Sequence, residues 1–398
     1  MSASSHAPAS APAASAPERA TARPAPGRST TGPSGPGPST ADGRRSRLHA
    51  LDGLRLLAAL MVCLYHYTGR GGPVSASWHQ APSHLFPALS QVTVYGNLGV
   101  QFFFVISGFV ICMSSWGRTL GDFFRSRVAR LYPAYWAALV LVTGASLALP
   151  VVVHAVRPDE FLVNLTMLQQ PMGVPRVLGV CWTLWAEVRF YALFALLVVA
   201  RGVTYRRVVM FCGVWTLAVV LCRTSGNALT DQLVMPDYAP FFIGGLALYL
   251  VHRFGGDLLL WGIVAFSWLL GQSNATRGLW HAHGELVRDP YVVMLIVTLA
   301  FAAVAAVALG WTSRAHGSWL VTAGALTYPF YLVHEHLGWF AIRLLHRGLG
   351  LPAWPTLGVT VLGMLVLAWL LHRFVEKPFG PRLRKALKRP RTPGTSPR

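Results

Sequence analysis

Charged residues are scarce in this sequence, and acidic residues are scarcer still. Only 12% of the 398 residues are Asp, Glu, Lys or Arg, and 14 residues are acidic, whereas 54% are hydrophobic. A soluble domain carries about twice that charged fraction. The composition therefore excludes an ordinary soluble globular protein and indicates a chain that lies largely in lipid.

Cysteine and the common cofactor-binding motifs are also poorly represented. The five cysteines include no C-x-x-C pair, which argues against a disulfide framework and a structural zinc site. The chain has no Walker loop, no dinucleotide-binding fingerprint and no H-E-x-x-H motif, so nucleotide hydrolysis and zinc proteolysis have no support. We therefore expect no metal site and no bound cofactor.

The sequence is rich in apolar runs of about 20 residues, each long enough to cross a bilayer. The predicted spans lie near residues 50–68, 94–113, 131–153, 177–200, 206–222, 236–252, 257–272, 290–311, 317–342 and 353–375. Backbone groups in lipid must be hydrogen-bonded within the protein, and no run shows the alternation of a β-barrel. The sequence thus predicts an all-α polytopic membrane protein with about ten transmembrane helices in one bundle.

Two polar tails flank this predicted membrane domain at residues 48–380. Residues 1–47 are rich in Pro, Ala and Ser and lack the apolar core of a signal peptide, which predicts a disordered cytoplasmic tail. Residues 381–398 are basic and are expected to form a second disordered cytoplasmic tail.

The net charge of +20 follows the topology of the spans. Basic residues crowd the N-terminal flank, the second and fourth loops and the C-terminal tail, whereas the first, third and fifth loops are poorer in them. The positive-inside rule then places both termini in the cytoplasm, in a multi-pass protein of the cell membrane. We expect the lipid bilayer, and not nucleic acid, to account for this charge.

The first span, LDGLRLLAALMVCLYH, contains two ionisable residues, Arg55 and His66. Eleven residues make about three helical turns, so both side chains project from nearly the same face, roughly 16 Å apart along the axis. Two such residues are costly in lipid, which favours a position facing a bundle interior or a wet cavity. The alternative is that each residue lies at one membrane interface.

Two later segments add further polar groups. FFRSRVARLYPAYW places Arg125, Arg127 and Arg130 on a short cytoplasmic stretch before Pro133, where guanidinium groups suit a phosphate-rich ligand or simply anchor the membrane edge. CWTLWAEVRFYALF places Glu187 within a span, either to orient a histidine or hydroxyl or to form a structural ion pair.

The ninth predicted span contains the segment LTYPFYLVHEHLGW, with Tyr331, His334, Glu335 and His336. Pro329 is expected to loosen the helix locally. Polar groups beside a loosened helix in a membrane commonly line a cavity.

Six motifs in order resemble the integral-membrane acyltransferase 3 family across about residues 48–380. They are Arg55 with His66, GVQFFFVISGF, R-x-x-R-L-x-P-x-Y-W from Arg127 to Trp136, W-T-L-x-x-E-x-x-F-Y from Trp182 to Tyr191, T-Y-x-x-Y-L-x-H from Thr327 to His334, and V-E-K-P at 375–378. The resemblance implies ten spans and transfer of an acyl group from cytoplasmic acyl-coenzyme A, as co-substrate, to a hydroxyl that is usually on a sugar.

The resemblance also implies roles for individual residues. Arg55 and His66 match the conserved pair of the family's first span, and Glu187 matches its fourth-span glutamate. We expect His66 to act as general base, or as a covalent nucleophile, with Glu187 orienting it or the acceptor. Further expected sites are Arg55, Arg125, Arg127 and Arg130 for the donor, and Trp182, Tyr191, Tyr331 and His334 for the acceptor.

Two departures from the family pattern bear on these expectations. Glu335 and His336 stand where the family often has an apolar residue and a proline, which puts the geometry near His334 in doubt. No esterase-like domain follows the last span. Relatives that acylate macrolide antibiotics or small surface glycans also lack such a domain. We expect a short acyl group, such as acetyl, and a carbohydrate-containing acceptor, either a macrolide or other glycoside or a surface glycan.

Two other functions remain open from the residues alone. A proton-coupled transporter of sugars or drugs would also use intramembrane Arg, Glu and His as a proton relay. A non-catalytic membrane scaffold would need none of them. Turnover of acyl-coenzyme A by the purified protein would distinguish an enzyme from both.

Overall fold

The computed structural model describes residues 48–150, 152–222, 227–277, 288–315 and 317–388. The predicted N-terminal tail and the last ten residues lie outside this part of the chain. The described part is helical and contains no β-strand. It corresponds to the predicted membrane domain and the start of the predicted C-terminal tail.

Sixteen α-helices follow one another in the described residues. They are α1 (His49–Leu64), α2 (Pro73–Trp78), α3 (Pro82–Leu85), α4 (Pro87–Thr93), α5 (Gly99–Ser115), α6 (Leu120–Ala148), α7 (Pro158–Asn164), α8 (Cys181–Leu197), α9 (Tyr205–Cys222), α10 (Ala228–Val234), α11 (Ala239–Phe254), α12 (Leu258–Arg277), α13 (Pro290–Ala308), α14 (Ser318–Ile342), α15 (Ala353–Leu371) and α16 (Lys377–Ala386). Short π-helical turns follow α1, α14 and α15 at Tyr65–Gly69, Arg343–Gly348 and His372–Glu376.

Nine helical segments of the described chain are long and apolar enough to cross a membrane. The remaining predicted span, the ninth, forms α14, a 25-residue helix whose composition is less apolar because it contains His334, Glu335 and His336. Helix α14 packs against α1, α6 and α15, and buries most of its side chains. The chain is therefore an all-α polytopic membrane protein, in which a helix that carries three adjacent ionisable residues is mostly buried.

The structure corrects two details of the sequence analysis. Helix α6 begins at Leu120, not near 131, because Thr119 caps it by accepting a hydrogen bond from the Asp122 N–H at 3.2 Å. Helices α6 and α14 are continuous through Pro133 and Pro329. Residues 381–386, predicted as part of a disordered tail, form the end of α16.

The π-helical turn Tyr65–Gly69 brings the end of α1 into close contact with α4. Gly69 lies so near the Thr93 carbonyl that a Cβ atom would overlap it. The Ser90 hydroxyl donates to the Thr68 carbonyl at 2.7 Å, and the Thr68 hydroxyl donates to the Thr93 hydroxyl oxygen at 2.9 Å. π-turns are rare and frequently occur at functional sites. This one contains His66.

The bundle has two ends that are distinguished by the residues of α1 and α14. Residues Asp52, Arg55 and Gly324 line one cavity, and His336 and Trp339 line another. Gly324 and Trp339 are 15 residues apart on α14, about 22 Å along a helix axis. We call the first the arginine end and the second the histidine end.

Helices α5 and α11 approach closely through two glycines. A Cβ atom on Gly108 would overlap the Phe242 carbonyl, and one on Gly245 would overlap the Val105 carbonyl. In lipid there is little hydrophobic drive for helices to associate, so such close backbone packing matters for stability.

We predict that Gly245→Ala lowers the thermal stability of the detergent-solubilised protein, because the added methyl group must separate two backbones. Overpacking of this kind costs about 1–3 kcal/mol. The matched control is Gly262→Ala in α12, where a Cβ atom would meet no atom within 4 Å. Thermal unfolding that shifts equally in the two variants would contradict close α5–α11 packing at Gly245.

Candidate active site

His66 lies in a buried cluster formed by α14 and the end of α1. Its Nδ1 atom is 3.0 Å from Nε2 of His334, and its Nε2 atom is 3.5 Å from Oε1 of Glu335. The Trp339 indole N–H donates to the His66 carbonyl at 3.1 Å. Side chains from two distant parts of the sequence therefore surround both ring nitrogens of His66.

The hydrogen bonds of His334 determine which nitrogen of His66 is free. Nδ1 of His334 lies 2.9 Å from the Tyr331 carbonyl, which can only accept, so this nitrogen carries the proton. His334 is fully buried, where a neutral imidazole is favoured over a charged one. Its Nε2 atom then accepts from the Nδ1–H of His66. This arrangement leaves the lone pair of His66 on Nε2.

Glu335 occupies the other side of His66. Its Oε1 atom is also 3.6 Å from Nη1 of Arg70, whose guanidinium lies 5.8 Å from the centre of the Trp339 ring. Its buried carboxylate lies against Gly179. A carboxylate in this position stabilises a proton on Nε2 of His66.

Arg55 lines three cavities at the arginine end. The outermost cavity is also lined by Asp52, Arg130 and Glu376. A second cavity is lined by the guanidinium groups of Arg55, Arg127 and Arg130 and by one carboxylate, that of Glu187. The third reaches Tyr331. The second cavity has an excess of positive charge, which suits an anionic ligand.

Two of these arginines have unused hydrogen-bonding capacity. No hydrogen bond or ion pair to the Arg55 side chain is found within the described ranges. Arg127 donates from Nη2 to the Ser114 hydroxyl at 2.7 Å and contacts the ring of Tyr191, but its buried Nε has no partner in that part of the chain. Both groups are therefore available to a ligand.

Arg125 differs from the other predicted donor-binding arginines. Its Nη2 atom is 2.9 Å from the Asp122 carboxylate, one helical turn earlier on α6, and it does not line the cavities that contain Arg55. The structure brings together Arg55, Arg127 and Arg130, and places Arg125 outside this group.

Glu187 lies with the arginines. It accepts a hydrogen bond from the Ser107 hydroxyl at 2.6 Å and lines the same cavity as Arg55 and Tyr191. The carboxylate found within 4 Å of His66 in the described chain belongs to Glu335. The orienting role expected for Glu187 at His66 is thus assigned by geometry to Glu335, and a role for Glu187 in catalysis stays a prediction.

The four residues predicted for the acceptor lie in different places. Trp182 packs against Tyr238, with ring centroids 5.6 Å apart, and Tyr191 lines the arginine cavity. The Tyr331 hydroxyl is 2.9 Å from that of Thr183, and its ring is 5.5 Å from His334. Tyr331 and His334 therefore lie near His66, whereas Trp182 and Tyr191 make no hydrogen bond or ring contact with His66 among the described residues.

These features define a class of protein: a multi-pass helical membrane protein with a buried His–His–Glu cluster and arginine-lined cavities. A family model described as an acyltransferase domain matches residues 48–373. The chain belongs to this family, acyltransferase 3, as its motifs indicate. It is an O-acyltransferase.

Two curated proteins are similar to this chain over most of their length. Acyltransferase MdmB from Streptomyces mycarofaciens is 27% identical over 370 residues, which cover 83% of this chain and 91% of that protein. Exopolysaccharide production protein ExoZ from Rhizobium meliloti (strain 1021) is 27% identical over 310 residues, 71% and 89% of the respective chains. No solved structure matches the chain significantly. These comparisons give no support to a transporter.

The sequence motifs assign no role to Glu335 or Arg70, although Glu335 stands within the HEH segment. The position of Glu335 directly after His334 is the sequence feature that points to the site. Its contact with His66 is not visible in the sequence, because the two residues are 269 positions apart. Within the described ranges no group of three or more His, Cys, Asp or Glu side chains is placed to hold a metal ion.

We predict that His334→Leu lowers kcat for acyl transfer by about 10²-fold, within the range attributed to general acid–base catalysis. The change removes the acceptor for the Nδ1–H of His66, so the imidazole no longer holds its lone pair on Nε2. Donor KM should change little, because His334 does not line the arginine cavities. A variant that folds normally and keeps its kcat would contradict the assigned tautomer.

Proposed function

We propose that this enzyme transfers a short acyl group, such as acetyl, from acyl-coenzyme A to a hydroxyl of a carbohydrate-containing acceptor. The observation that carries the proposal is the series of three cavities that share Arg55 and end at Tyr331, beside the His66–His334 pair. We also propose that the arginine end faces the cytoplasm, with both termini on that side of the cell membrane.

The phosphates of coenzyme A fit the arginine end. Guanidinium groups bind phosphate through two parallel hydrogen bonds, which a lysine ammonium cannot do. Arg55, Arg127 and Arg130 offer such groups around one cavity, and Glu187 is its only acidic lining residue. Asp52 and Glu376 line the outermost cavity and offset part of the positive charge there. Arg55 and Arg130 line both cavities, so the phosphates would lie along the wall that these two residues share.

The acyl end of the donor fits the third cavity. Its walls combine Val100, Phe103 and Phe104 with the hydroxyls of Thr183 and Tyr331, and Arg55 and Glu187 also line it. The apolar part of this lining suits the acyl group. Tyr331 separates this cavity from His334, so the thioester carbonyl would have to lie next to the Tyr331 ring to reach His66.

In the proposed reaction the acceptor hydroxyl oxygen attacks the thioester carbonyl carbon. Nε2 of His66 takes the hydroxyl proton as the C–O bond forms. The C–S bond then breaks, and the proton passes from Nε2 to the departing thiolate, which leaves as free coenzyme A. Glu335 stabilises the imidazolium that exists between the two proton transfers. A covalent acyl-imidazole on Nε2 is the alternative route, and an acyl group trapped on His66 would distinguish it.

The proposed function is tested with the purified protein in lipid nanodiscs, isotopically labelled acetyl-coenzyme A and a panel of glycosides. Mass spectrometry should show a labelled ester on a glycoside. His66→Ala, at normal expression, should lower the rate by about 10²–10⁴-fold. Absence of acyl-coenzyme A turnover by the folded parent protein, or undiminished transfer by His66→Ala, would refute the proposal.

A second prediction concerns donor affinity. Arg55→Lys should weaken binding of a non-transferable acetyl-coenzyme A analogue about tenfold, because one charged hydrogen bond of the bidentate pair, worth about 1.5 kcal/mol, is lost. Isothermal titration calorimetry measures this Kd directly.

The matched control for Arg55→Lys is Arg125→Gln. Arg125 is also on the arginine-rich part of the chain, but it pairs with Asp122 and lies outside the cavities. Its replacement should leave the Kd of the analogue within about twofold. If both variants bind equally well, or if Arg125→Gln is the weaker binder, the donor phosphates do not bind at Arg55.

A further inference from the structure

A cavity of about 640 Å³ lies at the histidine end and has no part in the donor site described above. One side is formed by α14, through His336 and Trp339, and another by the segment between α6 and α8. A cavity of this size lies within the range of small-molecule sites, about 300–1,000 Å³.

The lining of this cavity indicates the chemistry of its ligand. Most lining side chains are apolar, among them Val142, Val153 and Val174, and Trp339 adds an aromatic surface. The polar side chains are those of His154, Gln170, Arg176 and His336, and none of the lining residues is acidic. A positively charged ligand would therefore find no counter-charge, and the guanidinium group of Arg176 is exposed and donates to Gln170 at 3.4 Å. An uncharged molecule with hydroxyl groups and apolar ring faces fits the rest of the lining best.

The floor of the cavity touches the reactive cluster. Gly179 lines the cavity and lies directly against the Glu335 carboxylate. Trp339 lines the cavity and donates to the backbone of His66. A hydroxyl group of a ligand on this floor would be next to the side of His66 that carries the free Nε2 lone pair.

The outer wall is fixed to the rest of the bundle. The Val177 N–H donates to the Asn164 side chain at 3.1 Å, and the Val177 carbonyl is 2.8 Å from Nδ1 of His336. The hydroxyl of Tyr135, on α6, donates to the Asn164 carbonyl at 2.5 Å. The segment that closes the cavity is thus held on both sides, as expected of a preformed site.

We propose that the histidine-end cavity binds the acceptor, and that the acceptor is an uncharged glycoside whose sugar ring packs on Trp339. The inference rests on the proposed function for the identity of the ligand as acceptor. Donor and acceptor then reach His66 from opposite ends of the bundle. The segment 152–179 between α6 and α8, with α14, determines which acceptor is used.

The cavity is tested by filling it. Val174→Trp should raise the acceptor KM at least tenfold, while the Kd of the acetyl-coenzyme A analogue and the rate of acyl-coenzyme A hydrolysis stay within about twofold. The matched control is Met172→Trp, at an exposed position of the same segment that does not line the cavity. Normal binding of the acetyl-coenzyme A analogue shows that a variant is folded. If Val174→Trp does not fold, Val153→Trp fills the same cavity and replaces it.

A second measurement is independent of turnover. The probe 4-benzoylphenyl β-D-glucopyranoside is irradiated with the protein, and labelled peptides are mapped. The expected labels fall in 152–156, 170–179 or 336–339 and disappear in Val174→Trp but not in Met172→Trp. Labels confined to other regions, or an unchanged acceptor KM in both filling variants, would overturn the inference. If the parent turns over no acyl-coenzyme A, the proposed function fails, and the labelling alone decides whether the cavity binds glycosides.

Discussion

The hydrogen bond between the imidazoles of His66 and His334 is the interaction on which the candidate site depends. Each ring is buried, and an unpaired polar N–H in such surroundings costs roughly 1–3 kcal/mol. The pair therefore holds α1 and α14 in one register and fixes the imidazole orientation. The π-helical turn at Tyr65–Gly69 and the hydroxyl bonds that anchor it keep His66 at the height of His334.

The same constraint explains why α14, which carries three adjacent ionisable residues, is largely enclosed. His334, Glu335 and His336 would be costly against lipid. Neighbouring helices cover them, and each has a partner: His66 for the first two, and the Val177 carbonyl for the third. A helix of this composition is stable in a membrane only because α1, α6, α15 and the segment before α8 surround it.

The charged side chains are unevenly distributed along the bundle, so the cavities at its two ends have different linings. Guanidinium groups of α1 and α6 gather at one end, and the walls at the other end are mostly apolar, with no acidic side chain among the described lining residues. The buried His66 lies between the two ends, with the Glu335 carboxylate beside it.

The sequence by itself determined the class of protein, the approximate position of ten long helices, and the presence of Arg55 and His66 on one helix, because hydropathy and helical periodicity are local properties. It also indicated the family through six ordered motifs. Only the tertiary structure decided that Glu335, and not Glu187, contacts His66, and that Arg125 lies outside the arginine cavities. The reason is physical: both carboxylates lie in apolar spans, and which one meets a given histidine depends on the packing of helices far apart in the chain. The exact helix ends were likewise decided by capping and packing, as at Thr119 and α6.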